Sequence, residues 1–173
     1  MTDQYQRSPG RGLLKPINKR SAQMQSEDRE TLLRLLEVVL EQLAFMFIEE
    51  AEKEDLIVKD GEYLHVSMNF SGFQHGKIEM ALHGGMSKLV AANILGIDDE
   101  EMIKQSANDA VKELLNIYCG QMLTTIFSSE DVFDLSVPEV NNISIDEWNI
   151  MVDDSNTIGV KIEEFPLLVR LSI

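Results

Sequence analysis

A chain of 173 residues, 44% hydrophobic and 26% charged, has the size and composition of one globular domain with a real core. Its formal net charge of −15 excludes the basic surface that nucleic-acid binding requires. The single cysteine, Cys119, excludes a disulfide framework within the chain and fits a reducing cytoplasm.

In chain order, residues 1–27 differ from the rest. They are rich in Gln, Ser, Pro, Gly and Asn, and carry five basic residues (Arg7, Arg11, Lys15, Lys19, Arg20) against two acidic ones (Asp3, Glu27). Residues 28–173 then hold 10 basic and 28 acidic residues, a net of −18. The first 27 residues contain no apolar run fit for a signal peptide or a membrane span, and they read as a disordered arm ahead of a folded domain over 28–173. From Asp28 a strongly apolar helix is predicted through Glu52, buried nearly all round between Leu32 and Ile48.

Two alternating runs follow. Leu64, Val66, Met68 and Phe70 point one way in the first, and Ile78, Met80 and Leu82 in the second. Period-two alternation with Ser71-Gly72 between the runs predicts a hairpin with one buried face. His65, His75 and His83 lie in or beside it; their spacing matches no zinc pattern, so solvent or turn positions are expected and no metal site. A short helix over 86–95 should end at Gly96, with Asp98 capping a long helix from about 98 to 127. Beyond it, a strand ended by Pro138 and three apolar stretches, around 148–152, 158–162 and 167–173, are read as strands. The order of elements predicts an α+β domain, two long helices against an antiparallel β-sheet.

The long helix carries the one unusual feature. At about 100° per residue, Asp109, Glu113, Asn116 and Gly120 share one face within about 60°. Ala107, Val111, Leu114, Tyr118, Met122 and Thr125 fall opposite, toward a core. A glycine within a helix costs about 1 kcal/mol relative to alanine. One reason to keep it is to let a partner's backbone come close. A carboxamide can hold a water through both acceptor and donors, and a carboxylate one turn away can accept from a partner's lysine or arginine. The other reading of the same residues is a solvated face with an accidental glycine. Cys119, beside this face with no clear histidine partner, reads as a packing residue. No phosphate-binding glycine loop, dinucleotide fingerprint or nucleophile elbow is present.

The pattern Asp109-x3-Glu113-x2-Asn116-x21-Pro138 resembles the signature of the CheC/CheX/FliY family of chemotaxis phosphatases, all four positions matching with the fixed gap. The resemblance is strongest over 98–138 and extends over 28–173 only as an order of elements. Family members with two sites repeat the signature on their first helix. Here that helix offers Glu37 and Glu41, but the asparagine slot is Ala44 and the later glycine slot is Ile48. A methyl group cannot orient water, so the chain resembles the one-site, CheX-like branch.

The resemblance implies a CheC/CheX-like fold and a hydrolase that removes the phosphoryl group from the aspartate of a CheY-type receiver domain. It implies that Glu113 and Asn116 are catalytic and that Asp109 and Gly120 meet the partner. It implies no cofactor of the chain's own, the receiver contributing a Mg²⁺, and it implies a homodimer. Pro138 is expected to shape the sheet rather than enter the chemistry. The alternative from another class is a non-catalytic binding or scaffold module for a receiver or a flagellar switch. The catalytic pair is absent from such scaffolds and present here.

Overall fold

A computed structural model describes residues 24, 26–127 and 131–173. The expected N-terminal arm falls mostly outside the described residues. The elements are α1 (Ser26–Ala44), β1 (Glu49–Glu50), α2 (Lys53–Leu56), β2 (Tyr63–Gly72), β3 (Gly76–His83), α3 (Gly84–Leu95), α4 (Glu100–Ile126), β4 (Phe133–Leu135), β5 (Glu139–Ile143), α5 (Ile145–Asp153), β6 (Thr157–Ile162) and β7 (Phe165–Ser172). The strands form one antiparallel sheet in the order β1-β6-β7-β3-β2-β4, with β5 also paired to β2. The expected α+β class holds: the two longest helices, α1 and α4, lie with α3 on one face of this sheet.

Period-two alternation explains the layering. Val66, Met68 and Phe70 of β2, Ile78, Met80 and Leu82 of β3, and Leu167, Val169 and Leu171 of β7 are all buried in one core beneath α1, α3 and α4. Side chains of the opposite parity point to the other face. There a smaller cluster forms from Leu56, Tyr63, Ala81, Trp148, Met151 and Leu168.

That second cluster corrects the reading of 148–152. The stretch is helix α5, not a strand. Ser144 caps it, and Ser144 and Glu147 form a reciprocal capping box, with Ser144 N donating to Glu147 Oε2 at 2.8 Å. Helical spacing then sets Trp148 and Met151 on one buried face, and the Trp148 indole N–H donates to the Leu56 carbonyl at 2.8 Å.

The first helix ends at Ala44, not near Glu52. Phe45 turns at φ 52°, and its N–H donates to Glu41 O while that of Met46 donates to Leu40 O. Asn93 of α3 donates to the Ala44 carbonyl at 2.6 Å, satisfying another group at the helix end. The chain is thereby released to pair β1 with β6. Nor is α1 apolar all round, since Arg34, Glu37, Glu41 and Gln42 are exposed.

Smaller differences follow from local chemistry. Ser71 and Gly72 belong to β2, and the hairpin turns at 73–75. Gly96 ends α3 with φ 62° as expected, but the α4 cap is Asp99, whose carboxylate accepts from Met102 N at 2.9 Å. The strand expected up to Pro138 stops at Leu135 and resumes as β5 after the proline, both pieces pairing with β2. At the break Ser136 N donates to Asn69 O, and Ser136 Oγ accepts from Asn69 N, both at 2.9 Å. The side chain thus stands in for the ladder where proline cannot donate.

Candidate functional site on helix α4

Helix α4 is held by one long apolar face. Ala107, Ala110, Val111, Leu114, Leu115, Tyr118, Cys119, Met122 and Leu123 are buried. The Tyr118 hydroxyl crosses to α1 and donates to Leu32 O at 2.9 Å. Thr125, expected on this face, is exposed, and its hydroxyl donates back to Gln121 O at 2.8 Å. Cys119 is buried, and burial pushes its thiol up to about 12, far from a thiolate nucleophile.

The opposite face brings the four singled-out positions together in solvent. Asp109, Glu113 and Asn116 are exposed and Gly120 is partly so. From Asp109 to Gly120 the row spans about 16 Å of one helix. Asp109 is 83% exposed at its side chain, and Lys112 reaches its Oδ1 at 3.4 Å. The side chains of Glu113 and Asn116 make no hydrogen bond or ion pair among the described residues. A Cβ built on Gly120 would meet nothing within 4 Å. The chain's own packing therefore gives no reason for the glycine.

The first helix holds no such row. Glu37 and Glu41 are exposed, but Ala44 is completely buried at the helix end, and Ile48 lies beyond it in the connector. The slots laid along a continuing helix thus stop at Glu41. An asparagine at position 44 would be buried under α3, a stronger barrier to a second site than a blocking Ile48.

The histidines have structural roles that their sequence spacing did not indicate. His83 Nδ1 accepts from Gly85 N at 2.9 Å, capping α3, and its ring stacks on Phe165 at 4.9 Å. His65, expected toward solvent, is largely covered and meets Glu79 at 3.1 Å; His75 is exposed in the hairpin turn, as expected. Glu79 is the one deeply buried carboxylate described. Burial raises its proton affinity, but hydrogen bonds from His65, Arg170 and Lys77 outweigh this and hold it well below the usual carboxylate range. Arg170 Nε lies 2.7 Å and Lys77 Nζ 2.8 Å from it. Sequence reading missed this group, although Glu79 and Lys77 break the polarity of an apolar strand two residues apart. No group of three or more metal-ligating side chains occurs among the described residues. No described helix is long and apolar enough to cross a membrane.

Residues 64–156, more than half of the chain, match the family model described as chemotaxis phosphatase CheX. The chain belongs to that family. The match takes in all of α4 with its exposed row, and Pro138. No curated protein matches the sequence. Solved structures show the same fold at low identity. A CheX chemotaxis protein from Desulfovibrio desulfuricans aligns over 84% of this chain and 97% of its own, at 19% identity and a TM-score of 0.59. CheX from Vibrio vulnificus aligns over 85% and 99%, at 17% identity and 0.60. The Borrelia burgdorferi CheX–CheY–BeF3–Mg²⁺ complex contains a chain matching over 83% and 95%, at 19% identity and 0.55.

Proposed function

We propose that this CheX-family chain hydrolyses the aspartyl phosphate of a CheY-type receiver domain in the cytoplasm, and that Glu113 and Asn116 of α4 carry the reaction. The supporting observation is the exposed row itself. It offers a carboxylate and a carboxamide one turn apart, both without partners of their own, on a rigid buried-face helix, followed by a glycine that internal packing does not need. A structural relative crystallised with CheY, BeF3 and Mg²⁺ supports the choice of partner.

The receiver brings the phosphorylated aspartate, its Mg²⁺ and a lysine. Glu113 accepts from that lysine and sets the approach. Asn116 enters beside the phosphoryl group, and its amide orients the attacking water in line with the bond to be broken. The phosphorus–oxygen bond to the aspartate breaks, inorganic phosphate leaves and the carboxylate is regenerated. Phosphoryl transfer depends chiefly on positioning and charge stabilisation, so two placed groups suffice without a nucleophile on this chain. Asp109 meets the receiver's rim, and Gly120 admits its backbone.

The test is single-turnover decay of a phosphorylated receiver. Asn116→Ala should lower the rate at saturating chain by about 10²-fold with folding intact. Glu113→Ala should in addition weaken the complex by about 2 kcal/mol. If both variants dephosphorylate like the wild type, the reading of this face is wrong. If the wild type binds a receiver without accelerating its decay, the chain is a binding module.

A further inference from the structure

The exposed row is a narrow ridge. A helix about 10 Å wide presenting about 16 Å of its length offers only a fraction of the roughly 800 Å² per partner that a specific complex needs. The surface on either side of α4 must supply the rest, and the two sides differ. Toward α1 the outward residues are polar: Glu30, Arg34, Glu37 and Glu41. Toward the sheet edge they are apolar: Val132 is 83% exposed, Leu135 40% and Val137 81%.

That edge is fastened to α4. Phe127 at the helix end packs against Phe133 of β4 at 5.3 Å and Phe70 of β2 at 6.2 Å, and Leu135 pairs with Phe70. Helix α4 also packs on β2 and β5, where Val140 pairs with Val66 and joins the core. Asn116 lies about 16 Å back along α4 from Phe127. Val66 lies about 13 Å back along β2 from Phe70. The β4–Pro138–β5 edge therefore accompanies α4 from its end to near the level of Asn116. No further strand covers this edge among the described residues. Large apolar side chains held in water beside a polar site fit the composition of an interface, in which apolar anchors surround polar groups that set the geometry.

We infer that Val132, Leu135 and Val137 on the β4–β5 edge form the apolar half of the surface that docks the receiver domain, while the α4 row performs the chemistry. This rests on the phosphatase reading, and it divides the work: the edge sets affinity and the row sets rate.

The experiment uses the full chain and a CheY-type receiver activated with BeF3 and Mg²⁺ for binding, and the phosphorylated receiver for turnover. The double variant Val132→Asp, Val137→Asp alters two side chains that are mostly in water, so folding is retained. Its Kd for the activated receiver should rise about 10-fold or more, while its single-turnover rate at saturation stays within about 2-fold of wild type. Asn116→Ala should show the converse, a lost rate with affinity largely kept. A double variant that binds the receiver as tightly as wild type overturns the docking surface and leaves the phosphatase reading standing. A change in sedimentation with unchanged receiver affinity assigns the edge to a second copy of the chain and also overturns it. A wild type that neither binds nor dephosphorylates the receiver removes both.

Discussion

Gly120 separates the demands of folding from those of the exposed row. Nothing in the chain lies within 4 Å of a Cβ placed there, and the residue is inside a helix. Gly120→Ala should stabilise the isolated chain by about 0.5–1 kcal/mol, because alanine loses less backbone entropy in a helix. In a chain of this size that corresponds to a rise of about 1–4 °C in Tm. The same methyl should weaken receiver binding if a partner's backbone approaches here. Thermal melting beside a receiver titration checks both, and a stabilised variant with wild-type affinity would reject the close approach. The four positions of this row were legible in the sequence because a period of 3.6 is a local property. Their exposure follows from the same period, which buries Val111, Leu114, Leu115 and Tyr118 on the other side. Thr125 broke the pattern because α4 is near its end there and the core has run out beneath it.

At the scale of elements, α5 and the end of α1 show how a local pattern can mislead. Trp148, Ile150 and Val152 alternate with polar or smaller neighbours, which imitates a strand. The Ser144-x-x-Glu147 box was the available helix signal, and the capping hydrogen bonds show that it prevails. Trp148 is fully buried, donates to Leu56 O and lies 4.5 Å from the Tyr63 ring. Trp148→Ala should therefore cost about 3–5 kcal/mol. It acts on the sheet face away from α4, so the surviving folded fraction should dephosphorylate at the wild-type rate. Chemical denaturation together with activity per folded molecule tests this; a loss below about 1 kcal/mol would mean that α5 is not part of the core. The α1 boundary was misread for a different reason. Leu43 to Ile48 is almost continuously apolar, so composition gives no stop. The stop comes from Asn93, 49 positions away, and from the pairing of β1 with β6.

Across the whole molecule, the buried charge on the sheet's second face ties the ends of the domain together. Glu79 of β3 accepts from His65 of β2, from Lys77 beside it and from Arg170 of β7; Arg170 also reaches Asp154 at 3.3 Å. Because the folded protein depresses the Glu79 pKa, the unfolded chain takes up this proton first as pH falls. The stability from Glu79 is thus fully present above the unfolded value of about 4.3 and is lost progressively below it. Urea melts between pH 7 and pH 3 should show a fall in stability that is shallower in Glu79→Gln than in wild type. Equal slopes would show that other carboxylates govern acid unfolding. At neutral pH, Arg170→Met should destabilise by about 2 kcal/mol, since it removes one charged donor and leaves His65 and Lys77 in place.

Local repetition and caps along the chain determined the α4 row, the β2–β3 alternation, the stop at Gly96 and the signature gap to Pro138. Each depends on neighbours within a turn or a strand, so sequence order alone expresses it. Only the tertiary structure decided what depends on residues far apart in the chain. It joined Glu79 to Arg170 across 91 positions, ended α1 beneath Asn93, and set β4 and β5 side by side on β2 with their valines in water beside α4. Packing and strand pairing make those choices, because a buried charge or an open sheet edge acquires its environment only when distant elements meet.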